Sequence, residues 1–174
     1  MMHKDLVFWM CYKSMPHKSG KHASPENEFH TKVAKSCFNE TWNFLDKKSR
    51  SKEEDIQMIM LSHASRYHWG KVGTPRNMAV ADWQISRVYA DLKQPDMALL
   101  FAKSSLEACE KNKLTDMLLS GYEGMARGYA VANQPQEAQR YLQNARKQLE
   151  LVKDEEDRKI YAQQIEETEA LLRK

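Results

Sequence analysis

The sequence predicts an all-α fold, an α-α superhelix of three antiparallel helix hairpins plus a C-terminal capping helix, about seven helices in all. Three observations predict it. Only 6 Gly and 5 Pro occur in 174 residues, too few for the many tight turns of an all-β domain. Helix-start signals punctuate the chain at Ser24-Pro25, Ser51-Lys52-Glu53-Glu54 and Thr74-Pro75. A set of residues also returns after 40 positions, the mark of stacked supersecondary units.

In chain order, residues 1–23 read as a poorly ordered basic leader, with Met15 a candidate natural start. Its apolar run, Leu6 to Tyr12, is too short to span a bilayer. Residues 24–174 read as a single helical-repeat domain. Its first hairpin covers 24–70. One helix runs from Pro25 to about Lys48, with Phe29, Val33, Cys37, Phe44 and Leu45 at helical spacing. A second starts at the Ser51/Glu54 capping box and carries Ile56, Met60, His63 and Tyr67 on one stripe, until Gly70 and Gly73 break it near Trp69. Two repeats follow at 74–112 and 115–152. Residues 154–174 form a capping helix with Tyr161, Ile165, Thr168 and Leu172 on its apolar side, as the end of a stacked array requires.

The offset of 40 carries the repeat. Lys93-Gln94-Pro95 matches Asn133-Gln134-Pro135, Arg87 matches Arg127, Tyr89 matches Tyr129, and Ala98 matches Ala138. Each unit is a helix, a short turn leading into Pro, and a second helix whose small residues (Ala98, Ala102, Ser105; Ala138, Ala145) allow close antiparallel approach. The pattern resembles the tetratricopeptide repeat. Ser86, Tyr89, Ala98, Ala102 and Ser105 occupy the motif's places in one unit, and Ala126, Tyr129, Ala138, Leu142 and Ala145 in the next. The departures are Asp82 at the usual early Trp, with Trp83 one place on, and the long period against the family's usual length of about 34. The resemblance covers residues 77–152; residues 25–70 match only as a helix hairpin. The stretch from His63 through Val72-Gly73-Thr74-Pro75 to Trp83-Gln84-Ile85-Ser86-Arg87 looks like bacterial repeat proteins of unassigned function.

That resemblance implies a non-catalytic protein- or peptide-binding scaffold working through a concave face lined by the first helix of each repeat. Arg87 and Arg127 fall on groove positions, with Trp83 and Glu123 four residues before them. Two guanidiniums in successive repeats suit an acidic or carboxylate-ended segment. Asn39 and Asn43 are candidates to extend the surface. The alternative is that both arginines pair internally with carboxylates such as Glu123 and Asp91.

A second candidate site is the dense run from His63 to Trp69. His63, Arg66, His68 and Trp69 are candidates for a polar pocket serving a small-ligand sensor or an enzyme; otherwise they are core residues with satisfied polar tips. His63 and His68 are spaced wrongly for chelation from one helix face, and no metal site is expected. No catalytic motif, nucleotide loop or cofactor signature occurs, so the sequence predicts neither an enzyme nor a cofactor. Self-association is a third outcome, as a structural subunit. A net charge of +3 does not point to nucleic acid, and no membrane partner is expected. Three cysteines without a CxxC pair fit a cytoplasmic protein.

Overall fold

The computed structural model describes residues 24–173; the leader, with Met15 and Cys11, lies outside them. Among the described residues all regular structure is helical. The helices are α1 (Pro25–Leu45), α2 (Lys52–Val72), α3 (Pro75–Asp91), α4 (Pro95–Lys111), α5 (Leu118–Val131), α6 (Pro135–Leu149) and α7 (Glu155–Leu171), with a 3-10 turn at Thr115–Met117. Among the described residues the fold is all-α with seven helices, as predicted. The chain divides into two compact units at Ala81/Asp82, inside α3, and each is described by itself.

In the first unit, α1 and α2 pair. Ser24 caps α1 by accepting from the Asn27 amide at 3.2 Å. Ser51 and Glu54 form the predicted capping box, with bonds of 3.3 and 2.9 Å. Helix α2 does not stop at Trp69. It continues through Gly70 to Val72, and Gly73 ends it by donating its amide to the Trp69 carbonyl. A Cβ on Gly73 would lie 2.6 Å from that oxygen, so the stop needs glycine there.

The burial phase of this hairpin differs from the predicted one. Ile56, Met60 and Tyr67 are 58, 66 and 58 % exposed. The buried side of α2 is Met58, Ser62, Ser65 and Trp69, and that of α1 is Ala34, Phe38, Thr41 and Trp42. Phe29 is exposed as well. Serines replace large apolar side chains at the contact because their hydroxyls find backbone partners. Ser65 Oγ donates to the Ala34 carbonyl at 2.9 Å and Ser62 Oγ to the Ile59 carbonyl at 2.8 Å. Small, satisfied side chains let two helices approach where bulky ones would hold them apart.

In the second unit the offset of 40 becomes geometry. Lys93 and Asn133 both adopt φ 55°. In each turn the residue after them donates back to a tyrosine carbonyl: Gln94 to Tyr89 at 2.8 Å, Gln134 to Tyr129 at 2.9 Å. This is the left-handed helix stop that satisfies orphaned carbonyls. Lys113, φ 54°, builds a third such stop before the 3-10 turn. The repeated tyrosines stack on aromatic rings of the following helix, Tyr89 on Phe101 at 6.0 Å and Tyr129 on Tyr141 at 5.5 Å. Phe101 and Tyr141 are again 40 apart.

Helix α5 is the hub, packing on α4, α6 and α7. Its glycines permit the close approach of α4. A Cβ on Gly121 would come within 2.9 Å of Leu106, and one on Gly128 within 2.7 Å of Leu99. Helix α7, capped by Asp154, buries Tyr161, Ile165 and Thr168, as predicted, together with Asp157 and Gln164.

Candidate functional site

Three charged residues lie 40 positions apart on three helices: Arg87 on α3, Arg127 on α5 and Glu167 on α7. They form one network in the second unit. Arg87 Nη2 donates to Glu167 Oε2 at 2.6 Å. Arg127 holds Glu123 through Nε at 2.8 Å and Nη2 at 2.7 Å, and its Nη2 lies 3.7 Å from Glu167 Oε2. Both guanidiniums therefore converge on a single carboxylate oxygen of α7.

Glu123 is the interior anchor. It is 0 % exposed and accepts from Thr168 Oγ1 at 2.5 Å and Trp83 Nε1 at 3.4 Å besides its arginine. A buried carboxylate is tolerable only when its oxygens are satisfied this fully. Gln163 Nε2 donates to the other oxygen of Glu167 at 3.2 Å, and Arg127 Nη2 reaches the Gln164 carbonyl at 3.5 Å. Burial is the first cause lowering the affinity of Arg87 for its proton, and the charge of Arg127 adds to it. Glu123 and Glu167 oppose that shift. The network holds two cations and two anions. It meets solvent mainly at the Glu167 side chain, 32 % exposed, against 10 and 11 % for the two arginines.

This geometry corrects the picture of an open groove. Trp83 and Glu123 are interior residues rather than side chains presented to a partner, because α7 closes on that side of α5 with Gln164 and Thr168. The carboxylate on Arg87 is Glu167, a residue 80 positions away that no local pattern could supply. Asn39 and Asn43 lie in the first unit, exposed on α1.

Trp69 and His68, from the run His63 to Trp69, meet different neighbours. Trp69 is buried in a cluster with Ala34 and Ala81. His68 turns to α1, where the Nδ1 atoms of His30 and His68 share a hydrogen bond of 2.7 Å. The rings of Phe29 and Tyr67 stand edge-on to His68 at 5.9 and 5.4 Å. Burial and the neighbouring His30 lower the pKa of His68. His30 was missed in the sequence because only the α1–α2 pairing brings it there.

Among the described residues no group of three or more His, Cys, Asp or Glu is placed to hold a metal ion, and no helix is long and apolar enough to cross a membrane. No protein-family model, curated protein or solved structure matches the chain.

Proposed function

We propose that this chain is a non-catalytic, tetratricopeptide-like scaffold for a protein or peptide partner, and that it reads an acidic segment at the Arg87–Arg127 row. One observation carries the reading: guanidiniums from successive repeats converge on one carboxylate, Glu167, at 2.6 and 3.7 Å. Their spacing thus fits a single carboxylate, and the carboxylate they hold is the network's most exposed member. An acidic partner would take the place of Glu167, leaving the buried Arg127–Glu123 pair intact. Charge-assisted hydrogen bonds to guanidinium give such exchange its strength and its geometric selectivity.

The test is titration of a glutamate-rich peptide into the full chain, followed by calorimetry. Glu167→Gln keeps the side-chain shape, removes the competing charge and should tighten binding by about tenfold. Arg87→Gln should abolish it, and added salt should weaken it. No binding by wild type or Glu167→Gln, or equal binding of a lysine-rich control, would sink the proposal.

A further inference from the structure

The exposed side of α2 carries a pattern of its own. Ile56, Met60, His63, Tyr67 and Gly70 follow the alternating three-four spacing of a coiled-coil seam. The helix buries its other side, Met58, Ser62, Ser65 and Trp69, against its own unit. Ile56, Met60 and Tyr67 are each more than half exposed. Phe29, exposed too, extends the apolar area beside Tyr67 through the ring of His68. Gly70 adds to this. A Cβ there would meet nothing within 4 Å, so nothing inside the chain requires a glycine that weakens the helix by about 1 kcal/mol against alanine. A second backbone passing close by would require it.

We propose that α2 is a self-association surface, on which two copies of this chain pair antiparallel through Ile56, Met60, His63 and Tyr67. Charge placement selects this occupant and this direction. Glu53 and Lys71 are separated by roughly five full helical turns and so flank the stripe on the same side. Ile56 with Tyr67, Met60 with His63, and Glu53 with Lys71 share nearly one midpoint along the helix. An antiparallel two-fold pairing therefore sets Ile56 of one copy on Tyr67 of the other and brings Glu53 of each copy to Lys71 of the other. A parallel pairing would leave those two charges about five turns apart, at opposite ends of the seam. The self-complementary patch is what a two-fold interface demands. It is independent of the Arg87–Arg127 row.

Sedimentation equilibrium of the full chain, from about 1 µM to about 1 mM, tests it. Wild type should pass from monomer to dimer across that range. Met60→Glu should weaken the dimer at least tenfold with helicity unchanged by circular dichroism; Met60→Gln serves if the glutamate variant loses helicity. Glu53→Lys and Lys71→Glu should each weaken it, and the two together should restore it. A wild type that stays monomeric overturns the proposal. So does a dimer indifferent to the Met60 variants, or a double charge reversal as weak as the single ones.

Discussion

The two units bury different polar groups. The first sets Ser62 and Ser65 among Phe38, Trp42, Met58 and Trp69 at its helix contact and turns Ile56, Met60 and Tyr67 outward. The second draws charge inward and surrounds Glu123 with Arg127, Thr168 and Trp83. Both rest on the same rule, that a polar group is buried where it is satisfied. The serines find backbone carbonyls on their own or the neighbouring helix. The glutamate finds side chains on three helices of the second unit. A serine contact binds two helices closely. A charge network ties several helices together and resists removal of any member.

The largest effect should come from breaking that network. Glu123→Ala leaves the Arg127 guanidinium buried without the carboxylate oxygen that its Nε and Nη2 share and should cost about 3–5 kcal/mol in urea unfolding. Loss below about 1 kcal/mol would mean that water replaces the carboxylate and that the network does not hold the unit. Glycines sharpen the contrast next. Gly121→Ala pushes a methyl against Leu106, whose Cα would lie only 3.2 Å away, and should cost about 1–2 kcal/mol after its helix-propensity gain. Gly70→Ala meets nothing within 4 Å and should stabilise by about 1 kcal/mol. Opposite signs from one substitution would separate the packed helix from the open one.

The smallest effect is a pH dependence confined to the first unit. The folded chain lowers the pKa of His68, so the unfolded state takes up that proton first. Stability is complete above the unfolded histidine value, about 6.5, and falls as the pH drops below it. Two imidazoliums cannot share the 2.7 Å contact between His30 and His68, and Glu26 lies 3.8 Å from His30 Nε2. Denaturation midpoints at pH 7.5 and 5 should differ for wild type and draw together for His68→Asn. An unchanged gap would assign the pH dependence elsewhere.

Local chemistry determined much of this protein. Caps at Ser24 and Ser51, the turns before Pro95 and Pro135, and the buried stripe of α7 are all set by residues within one or two helical turns of each other, so the sequence alone declares them. The offset of 40 likewise announced two like hairpins and singled out Arg87 and Arg127. Tertiary structure decided the rest. Which side of α2 faces inward depended on Ser65 meeting the Ala34 carbonyl across the hairpin, and periodicity weighs hydrophobicity, not the fit of a satisfied serine. Whether the arginines stood open or paired depended on Glu167, a residue that comes near Arg87 only once α7 has packed. Contacts between distant segments carry no local signature, and the packing of whole helices is what creates them.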